Sequence, residues 1–381
     1  FTHTAMSKEH REALTSLVDD LQQTLLEHIS ARRQVTLDVT RDWVATGPHL
    51  GGAAMTAGLV DRLAYWDEVL AEAEKVAGRD DPLLELDAYS KSGELHDEGP
   101  TVALIYGDGQ VIRGESSGGG SPTMGSDSVT EAFRDARKEE VEGVLFRVDS
   151  PGGSYVASDV IRREVEVTRD AGIPVVVSMG NVAASGGYFV AMDADRIVAQ
   201  TGTITGSIGV FVGSVSLRRF WEHWLGITFD DYQSAPHAAF FSSLDPPSDE
   251  TKARIGTFLD RVYDDFVTKA AAGRGMPREE LETLARGRVW SGRAAKANGL
   301  IDEVGGMEKS LDLLKEVMGV DADQDVTLEI FPKPKTTFEL IGEQFGAAIR
   351  MVRLIEKGHR LVLQLTSGGG VLSLPAEPRL Q

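Results

Sequence analysis

Residues 143–188 read GVLFRVDSPGGSYVASDVIRREVEVTRDAGIPVVVSMGNVAASGGY, and the fold class can be predicted from the pattern of this stretch. Apolar runs of strand length at 143–149 and 174–180 flank a segment with helical spacing at 157–172, and each run ends in a loop of small residues. Strand and helix in alternation predict a largely parallel sheet with crossover helices, an α/β fold. Ligands of such sheets bind beyond the carboxyl ends of the strands, so we expect the chemistry in these two loops.

The same alternation continues on both sides of this stretch. Upstream, the sequence predicts a strand at 101–107, a loop rich in glycine and serine at 115–128, and a helix at 129–140. Downstream, it predicts a helix at 183–194 and a strand at 196–200. These elements belong to one α/β unit.

The first loop, Asp-Ser-Pro-Gly-Gly-Ser at 149–154, has two glycines just before a helix. Unpaired backbone N–H groups at a helix start can point at an anion, so the loop is a candidate oxyanion hole. An ordinary glycine turn after a strand is the alternative interpretation.

The second loop, at 181–188, places Ser185 at a strand-to-helix junction among residues too small to cover it. An exposed hydroxyl in such a position suits a nucleophile, because a substrate carbonyl can approach it. Ser185 as a simple helix N-cap is the alternative. A third element, Thr-Ile-Thr-Gly-Ser-Ile-Gly-Val-Phe at 203–211, contains Ser207, whose hydroxyl can orient a neighbouring base.

Composition limits the classes of function. The net charge of −20 over 381 residues argues against nucleic acid as a partner, since phosphates are repelled by such a surface. The chain contains no cysteine, so a nucleophile must be an oxygen or an amine. No stretch approaches 18 consecutive apolar residues, the length that suggests a membrane-spanning helix.

An internal repeat relates residues 7–78 to residues 248–319 at a constant offset of 241 without a gap. Both copies have apolar residues at helical spacing. The second copy follows the strand-rich segment, whereas the first has no equivalent strands before it. We therefore expect a duplicated α/β domain whose first copy is truncated to its helical module; a duplicated helical hairpin with nothing missing is the alternative.

This repeat defines the expected domain organisation. The chain lacks an initiator Met and enters a helix within a few residues, which indicates a start inside a domain. The expected units are the helical part of the first repeat at 1–78, a charged linker at 79–100, the serine-bearing catalytic domain at 101–324, and a C-terminal tail at 325–381.

Taken together in this order and spacing, the motifs resemble peptidase family S49, the signal peptide peptidase A or protease IV group. The similarity covers nearly the whole chain. The motifs that carry it are Asp-Ser-Pro-Gly-Gly at 149–153, Ala-Ala-Ser-Gly-Gly-Tyr at 183–188, Thr-Gly-Ser-Ile-Gly-Val at 205–210, Val-Trp-Ser-Gly at 289–292 and Ala-Asn-Gly-Leu-Ile-Asp at 297–302.

The resemblance implies a ClpP/crotonase-like fold and a serine–lysine dyad. By motif match, Ser185 is the nucleophile, the amides of Gly152 and Gly186 are the oxyanion donors, and Ser207 orients the general-base lysine. A buried lysine with a lowered pKa can act as a base near neutral pH, so no His–Asp pair is required. The resemblance implies no cofactor and no metal.

The dyad lysine itself is not found in this chain. In short forms of the family it lies in the stretch that corresponds to 230–240, where this sequence has no lysine and His237 stands near its place. We therefore expect the serine half of a long, duplicated form, with the lysine upstream of Phe1. His237 is either a substitute base or, as we favour, a surface histidine. Three lysines on predicted helices of the second copy are expected on solvated faces: Lys252, Lys269 and Lys296.

The expected function is a serine endopeptidase that degrades cleaved signal peptides and other extended hydrophobic peptides. The family also implies a ring-like homo-oligomer, commonly a tetramer, and membrane association on the cell-envelope side through an N-terminal anchor that would lie outside this chain. Two alternatives are a crotonase-type acyl-coenzyme A enzyme, which needs no serine nucleophile, and a fragment that is inactive without the upstream lysine.

Overall fold

A computed structural model describes residues 4–79, 83, 99–117, 121–235, 238, 240 and 242–333. The strands are β1 (Thr101–Asp108), β2 (Gln110–Ile112), β3 (Thr123–Gly125), β4 (Gly143–Ser150), β5 (Val175–Ala184), β6 (Arg196–Ala199), β7 (Ile204–Gly206), β8 (Val289–Ser291), β9 (Glu303–Val304) and β10 (Thr327–Phe331). The helices are α1 (Lys8–Arg33), α2 (Leu37–Thr46), α3 (Gly51–Ala57), α4 (Trp66–Ala77), α5 (Ser126–Lys138), α6 (Tyr155–Asp170), α7 (Gly186–Phe189), α8 (Arg218–Leu225), α9 (Asp249–Arg274), α10 (Arg278–Leu284), α11 (Gly292–Ala297) and α12 (Met307–Met318).

A parallel sheet organises the serine-bearing part of the chain. Its strands lie in the order β10-β1-β4-β5-β6-β9, β7 pairs in parallel with the end of β5, and β8 pairs antiparallel with β7. Side chains of β4 alternate between two buried faces: Phe146 packs edge-on against Phe133 of α5, and Leu145 packs with Leu314 of α12. Helices therefore cover both faces, as parallel sheets require. The predicted α/β class is confirmed.

Two element boundaries differ from the sequence-based expectation. The helix predicted at 183–194 begins only at Gly186, because Ala183 and Ala184 still pair with β7, whose Thr205 donates a hydrogen bond to the Ala183 carbonyl. The helix predicted at 129–140 begins three residues earlier, at Ser126, inside the expected loop.

Strand β10 lies at the start of the segment that was expected to be a C-terminal tail. It pairs in parallel with β1 from Thr327 to Phe331, and the Phe331 side chain is buried in the core. Most of the expected linker at 79–100 lies outside the described residues, as does the chain from residue 334 onward. None of the described helices is both long and apolar enough to cross a bilayer.

The internal repeat is preserved in the helices at the same offset of 241 residues. Helices α1 and α9 are each 26 residues long, and their N-caps, Ser7 and Ser248, both accept a hydrogen bond from the backbone three residues on. Both helices end at a residue in the left-handed conformation, Gln34 and Gly275. Helices α4 and α12 also begin and end at positions that differ by 241.

An arginine–aspartate ion pair recurs in both copies, buried in the second and exposed in the first. Arg274 contacts both carboxylate oxygens of Asp302 at 2.7 and 3.0 Å and donates to the Gly299 carbonyl. At the equivalent place, Arg33 contacts both oxygens of Asp61. The Arg274 side chain is 7% exposed, whereas that of Arg33 is 29% exposed.

Helix α1 docks on the serine-bearing part of the chain through a row of acids. Glu12 pairs with Arg288 at 2.7 and 2.9 Å. Asp20 accepts a hydrogen bond from the Ser291 hydroxyl at 2.6 Å, and Glu27 pairs with Arg293. The hydrogen bond from Arg293 holds the pKa of Glu27 below its usual value. The first helical module is therefore attached to β8 and α11 by polar contacts.

The two copies of this ion pair supply a matched test of its contribution. We expect Arg274→Ala to lower the free energy of unfolding by about 3 to 5 kcal/mol, because it leaves Asp302 without its buried partner. Arg33→Ala, at the exposed copy, should lower the free energy of unfolding much less, because solvent screens that pair. Denaturant unfolding of both variants measures this difference. Equal losses would show that burial does not set the energy of this pair.

Candidate active site

A β-bulge in β5 sets the position of Ser185. Val148 of β4 pairs with Met179, but Ser150, two residues on, pairs with Ala183, so β5 has two additional residues over this span. The Asp149 carboxylate accepts hydrogen bonds from the backbone N–H groups of Asn181 and Val182, both at 3.1 Å. Those amides would otherwise be unpaired within the bulge. The bulge is therefore held by one side chain.

Ser185 follows β5 directly and has a strained backbone. Its φ of 52° and ψ of −119° are unusual for a residue with a side chain, and strain of this kind clusters at functional sites. Its N–H donates to the Gly206 carbonyl at 2.9 Å, which fixes the main chain. The hydroxyl is partly exposed and has no hydrogen-bond partner among the described residues. It makes no side-chain cap bond to α7, so the structure does not use it as an N-cap.

Ser207 occupies the matching position on the neighbouring strand. Ala184 pairs with Gly206 in parallel register, so Ser185 and Ser207 each stand one residue beyond a paired position. Ser207 also has a positive φ of 50°, and its N–H donates to the Arg288 carbonyl at 2.8 Å. No hydrogen bond of its hydroxyl is found within the described ranges. The structure thus brings the two predicted serines to adjacent strand ends.

The glycine loop at 151–154 lies directly against Ser185. A Cβ added at Gly152, which has a φ of 97°, would lie 2.6 Å from the Gly186 nitrogen and 2.8 Å from Ser185 Cβ. A Cβ at Gly186 would in turn lie 3.0 Å from the Gly153 nitrogen. Only residues without side chains allow this approach. The two predicted loops therefore meet at one place.

The backbone N–H groups around Ser185 differ in whether they have a hydrogen-bond acceptor. The Gly152 N–H is directed at the Ser150 hydroxyl, 3.2 Å away. In the described part of the chain, no acceptor is found for the N–H groups of Gly153 and Gly186. Val111 of β2 fixes the loop, since it donates to the Gly152 carbonyl and accepts from the Ser154 N–H.

An exposed acid, Asp108, and two tyrosine hydroxyl groups lie on the elements that carry the site. Partial desolvation, and then repulsion from the neighbouring Asp149 carboxylate, raise the pKa of Asp108. Burial, and then the hydrogen bond to Asp265 at 2.6 Å, raise the pKa of Tyr155, which stays neutral near pH 7. Tyr188 is fully buried and donates to the Leu300 carbonyl at 2.9 Å. The two tyrosine hydroxyl groups thus link α6 to α9 and α7 to the segment before β9.

The lysines that were expected on solvated faces are all ion-paired. Lys252 contacts Asp249, and Lys296 contacts Glu303. Lys269 is three-quarters buried between Asp159 and Asp265, and although burial alone would lower its pKa, the two carboxylates raise it. A group stabilised as a cation is a poor general base. His237, the other candidate, lies outside the described residues.

Two contributions were missed in the sequence. Asp149 was recognised only as part of a motif, although its position near the end of β4, beside the Gly180–Asn181 pair within β5, is a signal for a carboxylate that caps a bulge. Gly153 belonged to the predicted oxyanion loop but received no role of its own, because the resemblance assigned Gly152 and Gly186. Which of two adjacent glycines has a free N–H depends on peptide orientation, and sequence carries no signal for that.

Comparison with known proteins relates the chain to proteases. A model of Peptidase family S49 matches residues 1–80 and 167–321, more than half of the chain. "Serine protease SPPA, chloroplastic" from Arabidopsis thaliana is 30% identical over 96% of this chain and 55% of the relative. "Protease 4" from Salmonella typhi is 31% identical over 92% of this chain and 57% of the relative. The chain thus spans a little over half the length of these relatives.

Two solved structures match this chain at low sequence identity. A serine-to-alanine mutant of the 1510-N membrane-bound stomatin-specific protease has a TM-score of 0.41 and 15% identity, over 62% of this chain and all of that chain. A point mutant of ClpP1 from Listeria monocytogenes has a TM-score of 0.38 and 13% identity, over 55% of this chain and 94% of that chain.

The parallel sheet, the three loop motifs and the family match agree with one another. The sheet also agrees with the ClpP/crotonase-like fold that the resemblance implied. The chain belongs to peptidase family S49.

Proposed function

We propose that this chain is the serine-bearing part of a serine endopeptidase that works with a serine–lysine dyad. One observation carries the proposal: Ser185 has a strained main chain, a hydroxyl without a partner among the described residues, and a position beside the glycine loop. A serine with a purely structural role would not require a strained backbone, whereas such strain is found at functional sites. Relatives named as serine proteases support the same activity.

In the proposed mechanism, Ser185 Oγ attacks the scissile carbonyl while a neutral lysine accepts its proton. The lysine returns this proton to the leaving amine as the C–N bond breaks, and it then takes a proton from the water that hydrolyses the acyl-enzyme. That lysine is proposed to lie upstream of Phe1, because Lys252, Lys269 and Lys296 of the second copy are each paired with an acid. Ser207, one position beyond the register pair with β5, is proposed to orient the lysine amine. Acylation and deacylation then use the same base.

The oxyanion of the tetrahedral intermediate is proposed to be bound by main-chain amides. The amides predicted from the resemblance are those of Gly152 and Gly186. The Gly186 N–H has no acceptor in the described part of the chain, which supports its role. The Gly152 N–H is directed at Ser150, so it would have to turn toward the substrate, and the unpaired N–H of Gly153 is the alternative second donor.

The proposed substrates are extended hydrophobic peptides, including cleaved signal peptides. A relative from Enterococcus faecium, 36% identical over 49% of this chain and 54% of the relative, is named "Putative signal peptide peptidase SppA". A cavity beside the glycine loop is lined mainly by apolar side chains, which supports apolar substrates. We further propose a ring-like homo-oligomer, with a tetramer as the favoured form, and attachment to the cell membrane on its envelope side.

The nucleophile is tested first. In the longer protein that includes the residues encoded before Phe1, we expect Ser185→Ala to lower peptide cleavage by about 10⁴-fold or more and to abolish labelling by a fluorophosphonate. Residues 1–381 alone should show little turnover, because a serine without its base is a weak nucleophile. Cleavage that persists in Ser185→Ala would refute the proposal. Coenzyme A binding without acylation would favour the crotonase-type alternative.

The strain at Ser185 is tested by stability. Glycine tolerates the positive φ and alanine does not, so we expect Ser185→Gly to be about 1 kcal/mol more stable than Ser185→Ala. Denaturant unfolding of residues 1–381 measures this difference and requires no activity. A Ser185→Gly variant that is less stable than Ser185→Ala would show that the main chain at this position is relaxed.

The role of Ser207 is tested by the pH profile. In the longer protein, we expect Ser207→Ala to lower kcat by about 10-fold to 100-fold with a small change in KM, since a misoriented base loses part of its contribution. The acid limb of the profile should move to higher pH, because the hydroxyl no longer stabilises the neutral amine. Ser216→Ala, at an exposed serine, is the control. An unshifted profile would exclude Ser207 as the orienting group.

A further inference from the structure

A cavity of about 710 Å³ lies beside the proposed oxyanion loop. One wall is the loop and the start of α6, including Gly153 and Tyr155, and another is the apolar face of α9, including Phe258 and Val262. The stretch 210–215, which follows β7, closes the cavity. An extended peptide with its carbonyl at Ser185 would place adjacent residues in this space.

The charge of the cavity differs from that of the whole chain. Asp and Glu outnumber Lys and Arg by 59 to 39 in the sequence, yet no acidic side chain is among the described residues that line this cavity. Arg113 is the single charged side chain of the described lining. The neighbouring cavity of about 590 Å³ shows the contrast, because Asp230, Asp231 and Asp245 line it.

Arg113 is held close to the proposed site by the main chain. It directly follows β2, and Val111 of β2 forms hydrogen bonds with Gly152 and Ser154 at 3.0 and 2.8 Å. The Arg113 side chain is exposed and has no ion-pair or hydrogen-bond partner in the described part of the chain. A guanidinium beside an apolar cavity is thus available to a ligand.

We propose that Arg113 determines substrate specificity by pairing with a carboxylate that flanks the apolar segment of the bound peptide. The proposal rests on the proposed peptidase function and names its substrate class further: an extended apolar peptide with a carboxylate near the cleaved bond. The guanidinium fork matches a carboxylate with two parallel hydrogen bonds. The carboxylate is either the free C-terminus of the peptide or an acidic side chain.

Helix α6 reinforces the same preference. It begins at the cavity and has no acid in its first turn. The acid of its second turn, Asp159, is paired with Lys269 and Arg162. No unpaired acid of these two turns opposes the positive end of the helix dipole, and that end favours a negative group in the cavity. We attribute the preference for a carboxylate to Arg113, because a substitution can remove this side chain but not the helix dipole.

The test measures peptide binding to Ser185→Ala of this chain, which cannot turn the peptide over. Three N-terminally blocked peptides of leucine and alanine, each with an uncharged coumarin label, are compared: a C-terminal amide without charge, the same peptide with a free C-terminal carboxylate, and the amide with one internal glutamate. We expect one or both acidic peptides to bind about fivefold more tightly than the neutral amide at low ionic strength, and less so as salt rises. The acidic peptide whose affinity increases shows whether the carboxylate is the C-terminus or an acidic side chain.

Arg113→Gln should abolish this difference and leave the affinity for the neutral amide within about twofold. Arg113→Lys should retain part of it, which separates charge from folding defects. Arg196→Gln, at an exposed arginine at the opposite end of the strands, is the matched control and should change nothing. Equal binding of all three peptides to the parent chain, or an unchanged preference in Arg113→Gln, would overturn the proposal.

The two proposals fail in distinguishable ways. An Arg113-dependent preference in a protein whose Ser185 is never acylated would preserve the carboxylate site and reject the peptidase function. Acylation of Ser185 without any preference for acidic peptides would preserve the peptidase function and reject the role of Arg113.

Discussion

The site depends on the hydrogen bonds from the Asn181 and Val182 amides to the Asp149 carboxylate. A strand that continued in regular register would keep its amides paired with β4 and would deliver a different residue to its end. Because one carboxylate satisfies both amides, β5 can accommodate two additional residues and still pair with β7 beyond the bulge. The residue that emerges next is Ser185. Its position is therefore set by a side chain from the neighbouring strand.

Close main-chain packing depends on the same arrangement. Gly152, Gly153 and Gly186 meet without side chains between them, and Val111 fixes the loop from the other side. Any Cβ at Gly152 would enter the space between the loop and Ser185. The site is built mostly from backbone, so its geometry is determined by how two strand ends and one loop approach each other.

Much of the architecture could be predicted from the sequence. Alternating apolar runs and helical spacing indicated the parallel sheet, and the 241-residue offset holds to the residue in the N-caps and last residues of α1 and α9. The end of β5 could not be predicted, since Ala183 and Ala184 have helix-forming side chains and their pairing with β7, together with that of Ala183 with β4, keeps them extended. Strand β10 was missed because a short alternating segment next to a proline carries a weak signal, and its pairing with β1 is a tertiary contact. The roles of individual residues at the site remain predictions.

The acidic row on α1 shows how the two copies of the repeat have diverged. The positions equivalent to Glu12, Asp20 and Glu27 in the second copy are Ala253, Arg261 and Thr268. Helix α9 therefore lacks the charges that match Arg288 and Arg293, and it could not replace α1 at β8. Although the copies keep the same helix lengths, their outer faces have become specific for different neighbours. The attachment of α1 to β8 and α11 therefore depends on acids that only the first copy of this helix carries.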